Sequence, residues 1–258
     1  MILTADYHTH TIFSHGKGNV IDNALVAKEK GLKQMGITDH GFSHPAFGLR
    51  NRKLPSLREL VVQATYETGV EVLCGIESNV ISESGKTDLK EKNYDYFDLF
   101  LAGMHKCILF KPKSIFTLGI PNVFYSTLKV EKPPKSLIRA NTKAFINVIK
   151  NNPVDVITHL NYCCYSDAYE IAKVASDYGT YLEISSKKAH LTDEEFAKIL
   201  ETGVNFVINS DAHTPDRVGE ISLAKNLVER LNIPLDRIHN IDGKTPNFRF
   251  KAFKEKSL

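Results

Sequence analysis

No Cys-x-x-Cys pair occurs in this chain, and its four cysteines, Cys74, Cys107, Cys163 and Cys164, suggest no disulfide framework. A reduced, cytoplasmic compartment is the expectation. Met1-Ile2-Leu3 passes straight into polar Thr4 and Asp6, so a signal-peptide pattern is missing. No apolar run approaches the ~20 residues of a membrane span, and no membrane partner is expected. The first apolar run is not followed by Gly-x-Gly-x-x-Gly, which disfavours a dinucleotide-binding fold. Charge of one sign is also scarce. A net charge of +3 over 258 residues suits anionic substrates but is too weak to argue for nucleic acid.

What the chain does contain is a repeating alternation. Hydrophobic residues make up 42%, enough for a substantial core. Short runs rich in Val, Ile and Leu fall at 2–8, 34–40, 70–77, 98–105, 154–160, 180–185 and 204–211. Helix-like stretches sit between most of them, at 20–31, 56–69, 135–151, 167–178, 192–202 and 216–231. Ser56-x-x-Glu59 and Thr192-x-x-Glu195 read as helix starts. Gly31, Gly69, Gly179 and Gly203 read as stops. Seven strands alternating with helices predict a parallel sheet. The expected form is an α/β fold, a closed or nearly closed seven-stranded barrel, in one domain over 1–258. Two connections are long, 41–55 and 106–134. Structureless connections beyond about 12–15 residues are usually functional or disordered. The second is rich in Phe, Tyr and Lys and is read as ordered. The tail after Pro246 is read as a basic helix or a frayed end.

Function is concentrated at the strand ends. Asp6-Tyr7-His8-Thr9-His10 opens the chain, and His15 follows five residues later. Residues two apart share a face of an extended strand, so His8 and His10 form half of a metal site. The second run ends at Thr38-Asp39-His40, the third at Glu77, the fourth at His105, the fifth at His159 and the seventh at Asp211-Ala212-His213. A parallel barrel brings all such ends to one face. Any one of these histidines alone would pass as a loop residue; their coincidence at six strand ends does not. His44, His190 and His239 stand outside the pattern and are read as surface or loop histidines.

These stretches resemble the PHP (polymerase and histidinol phosphatase) family of metallo-phosphoesterases, in its histidinol-phosphatase-like branch. The match runs from Asp6-Tyr7-His8-Thr9-His10 through Ile37-Thr38-Asp39-His40-Gly41 and Gly75-Ile76-Glu77. It continues in Gly103-Met104-His105, Ile157-Thr158-His159 and Asn209-Ser210-Asp211-Ala212-His213. The resemblance implies a distorted (β/α)7 TIM-like barrel, in agreement with the seven strands, and a centre of three divalent transition-metal ions. By that resemblance His8, His10, Glu77 and Asp211 hold one ion. Glu77 bridges to a second, held with His105 and His159. His15, His40 and His213 hold the third.

A set of seven imidazoles and two carboxylates suits zinc, manganese or iron rather than magnesium or calcium. Metals about 3.5–4 Å apart can share a hydroxide that attacks phosphorus directly. Asp6 is the first candidate for orienting the histidines, with Asp39 and Glu183 behind it. Arg50 and Arg52, in the first long loop, are candidates for gripping phosphate as an arginine fork. Phe110, Phe116 and Phe124 are candidates for closing over the substrate.

The expected activity is hydrolysis of a small, histidinol-phosphate-like phosphomonoester by a metal-bridging hydroxide. One alternative is a phosphodiesterase or nuclease acting on nucleotides or single-stranded nucleic acid. Another is a non-catalytic metal-binding regulatory module. Oligomeric state does not follow from the chain.

Overall fold

The computed structural model describes residues 1–130 and 132–257. Seven strands run parallel and in sequence order: β1 (Ala5–Thr9), β2 (Gln34–Ile37), β3 (Glu71–Asn79), β4 (Leu99–Gly103), β5 (Val156–Ile157), β6 (Tyr181–Ser185) and β7 (Phe206–Asn209). The circle nearly closes between β7 and β1. His10 N donates to Ala212 O at 2.8 Å, and Tyr7 N donates to the Asn209 side chain at 2.9 Å. The fold is thus the nearly closed seven-stranded barrel that the alternation predicts, in the distorted (β/α)7 form that the resemblance implies.

Helices α1 (Val20–Glu29) and α2 (Leu54–Thr68) cover the first crossovers. Three helical pieces follow β4: α3 (Pro112–Ser114), a π turn Ile115–Gly119, and α4 (Ile120–Thr127). Then come α5 (Lys135–Asn151), α6 (Ala168–Tyr178), α7 (Asp193–Glu201), α8 (Ser222–Arg230) and α9 (Arg249–Ser257). The Thr192 capping box is present. Ser56 caps nothing. A 3₁₀ turn at Asn51–Lys53 already bends the chain, and Pro55, whose φ suits a first turn, lets α2 start at Leu54. The expected helix 216–231 is shortened to α8, because Gly219 takes φ 69° and donates its N–H to Asp6.

Two apolar clusters fill the molecule. The larger lies between strands and helices. The smaller, Ala5, Tyr7, Leu99, Leu101, Val156, Tyr181 and Val207, fills the bore. Phe248 closes the lower end of the bore edge-on to Tyr7, at 4.9 Å between ring centres. The C-terminal tail is therefore a docked plug, tied by Phe250 N to Asp155 and by Arg249 to Thr180 Oγ1.

Candidate metal centre

Glu77 is the hub. It sits on the bore side of β3, is fully buried, and meets five imidazoles. His8 Nε2 (3.3 Å), His105 Nε2 (3.2 Å) and His159 Nε2 (2.7 Å) approach Oε1, and His40 Nδ1 (2.8 Å) and His10 Nε2 (3.7 Å) approach Oε2. Only glycine fits at position 103 beside it: a Cβ there would lie 2.4 Å from Thr158 Oγ1 and 3.3 Å from Glu77 Oε1. Asp211 closes the other side, with His10 Nε2 and His213 Nδ1 each 3.3 Å from Oδ1, and Lys187 Nζ 3.0 Å from Oδ2.

Burial disfavours charge on both carboxylates, yet the surrounding imidazoles outweigh it and hold both well below the usual carboxylate range. Burial and neighbouring imidazoles, His40 foremost, press His10 well below its ordinary value, so it stays a neutral donor.

Four overlapping groups bring their donor atoms within 4.8 Å of one another. They are His8, His10 and Glu77; His8, His159 and Asp211; His40, Glu77 and His105; and His10, His40 and His213. His15 lies at the rim, its ring 5.3 Å from that of His213 and stacked on Phe47 at 4.3 Å. The third set is thus built around His10 as well as His40 and His213.

These residues fit metal ions on their own chemistry. His8 Nε2, both nitrogens of His10, and Glu77 Oε2 are buried without a properly directed hydrogen bond, even though charged partners lie near. Buried polar atoms are otherwise almost always satisfied. His159 and Asp211 also sit at φ 23° and 49°. Such conformations cost ~1–3 kcal/mol for residues with side chains and cluster at functional sites.

The orienting groups differ in part from expectation. Glu183 Oε1 lies 2.7 Å from His8 Nδ1 and 2.9 Å from Asn209 Nδ2, while Glu183 Oε2 accepts from His159 N at 2.7 Å. Asn79 Oδ1 lies 2.7 Å from His105 Nδ1. Asp6 touches no imidazole. It accepts from Ser210 N at 3.1 Å, Ser210 Oγ at 2.5 Å and Gly219 N at 2.8 Å. The cause is local. Ala5 and Tyr7 point into the bore, which turns Asp6 outward, and the register of β1 on β2 shifts between Asp6 and Thr9. That shift brings His8 back to the bore without its neighbour two residues earlier. Asp39 holds Thr11 and Ser14, at 2.6 and 2.5 Å, and so shapes the turn that presents His15.

A cleft of about 460 Å³ opens over the centre. Its cations are Lys106 and Lys187, and its aromatic walls are Phe47 and Tyr162. His44 lines it too, against its reading as a bystander. Arg50 and Arg52 do not. Arg50 donates to the Pro45 carbonyl, and Arg52 is exposed in the 3₁₀ turn. Phe110, Phe116 and Phe124 also lie off the cleft. Nothing in the sequence singled out Lys187, which follows β6, the one strand end without a candidate metal ligand.

A barrel with a histidine–carboxylate centre at the carboxyl ends of its strands defines a metal-centred class of protein. The chain matches the PHP domain model over residues 6–190 and belongs to that family. It is 32% identical to a probable phosphatase of Caldanaerobacter subterraneus subsp. tengcongensis, covering 92% of this chain and 87% of that one. It is 31% identical to a probable phosphatase of Shewanella loihica, covering 93% and 90%. Among solved structures it resembles histidinol phosphate phosphatase from Lactococcus lactis, determined with zinc, L-histidinol and phosphate. The TM-score is 0.63 at 18% identity, with 90% and 94% covered. A putative histidinol phosphatase from Listeria monocytogenes gives a TM-score of 0.61 at 14% identity, with 84% and 97% covered.

Proposed function

We propose that this protein is a metal-dependent phosphatase that hydrolyses a small phosphomonoester. One observation supports the reading above all: five imidazoles converge on the buried carboxylate of Glu77, and His8 Nε2, both nitrogens of His10 and His159 Nδ1 are buried without a directed hydrogen bond. His8, His10, Glu77 and Asp211 would hold one ion, His105 and His159 a second with Glu77, and His40, His213 and His15 a third. Bound zinc, manganese or iron supplies Lewis-acid polarisation of the phosphoryl group and makes water nucleophilic near neutral pH.

The chain's own groups do the rest. Glu183 fixes the ring of His8, and Asn79 that of His105. Lys187 and Lys106 offer positive charge to phosphate at the mouth. Phe47 and Tyr162 limit the size of the alcohol part and exclude water around it. The four cysteines are unpaired, in keeping with action in the reducing cytoplasm.

The test is an assay of metal-replete protein against phosphomonoesters, histidinol phosphate among them, dinucleotides and short single-stranded oligonucleotides. Small monoesters are expected to be cleaved fastest, by protein carrying more than one metal equivalent. Faster cleavage of oligonucleotides would transfer the assignment to a diesterase. Absence of any hydrolysis would leave a regulatory metal-binding module.

A further inference from the structure

The excursion between β4 and α5 carries a second surface. Residues 106–135 contain six lysines and a single acidic residue, Glu131. Within the same stretch Phe116, Ile120, Phe124 and Leu128 fall four apart, so they line one stripe of a helical path. They are 72%, 56%, 55% and 60% exposed. The inward side of α4 is polar instead: Asn122 is buried and exchanges amide hydrogen bonds with Asn141 of α5, at 2.7 and 2.8 Å. The helix is thus inverted, pinned by amides within and apolar toward solvent. Soluble proteins rarely expose contiguous apolar patches without a partner for them.

Two concavities flank the stripe. An apolar groove of about 520 Å³ is lined by Leu109, Phe110, Ile120 and Phe124. A basic cavity of about 760 Å³ is lined by Lys86, Lys111, Lys113 and Lys143, with Glu83 the one acidic side chain. Whatever covers this face has to be apolar and anionic together.

We propose that the 107–129 face docks on an anionic lipid surface, its apolar stripe in the headgroup–acyl boundary and its lysines among the headgroups. Interfacial segments of this kind combine aromatic and aliphatic side chains with a lysine fringe, and each lysine near such a surface adds attraction. A second copy of the chain fits less well. An isologous contact sets the same patch against itself and would face one lysine cluster with the other. A small soluble anion would fill the basic cavity and leave the stripe bare. The contact is with a surface; among the described residues no helix is long and apolar enough to cross a membrane. Lys106 joins the two sites: it lines the metal cleft, and its Nζ lies 3.4 Å from Thr127 Oγ1 at the end of α4. Docking therefore sets the cleft mouth beside the headgroup layer.

The experiment is co-sedimentation of the full chain with vesicles of phosphatidylcholine alone or mixed with phosphatidylglycerol. It is repeated with F116S/F124S and with K111E/K113E, each first shown to keep its circular dichroism spectrum and its hydrolysis of p-nitrophenyl phosphate. Analytical ultracentrifugation without vesicles gives the oligomeric state. Binding to the phosphatidylglycerol vesicles is expected, lost in about 0.5 M salt and weakened at least ~10-fold by each double variant. No binding at low salt overturns the proposal. So does binding that both variants leave unchanged, or binding of inorganic polyphosphate without vesicles. A dimer that F116S/F124S converts to monomer, with no vesicle binding, assigns the face to a second copy and also overturns it.

Discussion

Glu77 and Asp155 are both wholly buried carboxylates in the strand region, and they are surrounded in opposite ways. Asp155 precedes β5 at the lower end of the barrel. It accepts from Phe100 N and Phe250 N, both at 2.8 Å, and so locks β4 and the C-terminal plug together. Glu77 sits at the upper end among five imidazoles, with one oxygen lacking a directed hydrogen bond. Burial pushes Asp155 up to about 7 despite its backbone donors. Burial acts on Glu77 in the same direction, but the imidazoles reverse the outcome. A carboxylate saturated by N–H groups specifies shape. One left open among histidines is arranged for something that binds.

The sharpest way to break that contrast is Glu77→Gln. We expect a fall of at least ~10²-fold in phosphatase rate, as for loss of a metal-activated nucleophile, together with lower metal content by elemental analysis. His190→Ala is the comparator. His190 packs on Tyr162 at 5.0 Å, outside the ligand groups, and its replacement should leave the rate nearly unchanged. Equal losses from the two would show the centre misplaced.

Glu183→Gln comes next. It keeps a side chain able to meet His159 N and Asn209 but removes the charge behind His8. Metal affinity, read by chelator competition, should drop about 10–100-fold, the usual effect of removing such a partner. An unchanged affinity with lowered stability would make Glu183 a purely structural bond.

Asp155 offers a pH test on the other side of the comparison. Its folded pKa, near 7, lies above the unfolded value, so the folded state binds the extra proton between about pH 4 and 7. The stability this group contributes is therefore present at low pH, falls as pH rises through that window, and levels off above it. The stability of wild type relative to Asp155→Asn, from urea unfolding, should shrink by of order 1 kcal/mol or more between pH 5 and 8. A difference that is flat or grows with pH would contradict the assignment.

The smallest effects separate the cleft from its surroundings. Lys187→Met should cost about tenfold in kcat/KM, as loss of a charge-assisted contact to phosphate. Arg52→Ala should stay within about twofold, like most exposed surface charges. The reverse order would place the first long loop over the substrate after all.

Much of this was legible in the chain because strands and ligands obey short-range rules. Val/Ile/Leu runs alternating with helices that stop at glycines announce a parallel barrel, and a barrel gathers its strand ends whatever lies between them. His8, His10, His40, Glu77, His105, His159, Asp211 and His213 could therefore be placed together without coordinates. Side-chain direction could not. The period-2 rule gave Asp6 the same face as His8, but the register shift in β1 brought His8 to the bore without it, and Glu183, far away in sequence, took its place beside the imidazole. Arg50 and Arg52 stood in the right loop, yet only packing decides which way a loop faces, and Lys187 from β6 reached the cleft instead. Helix α4 was invisible for a related reason. Its exposed stripe is apolar and its one buried side chain, Asn122, is an amide, the reverse of the pattern by which helices are recognised, and only the fold showed which side was which.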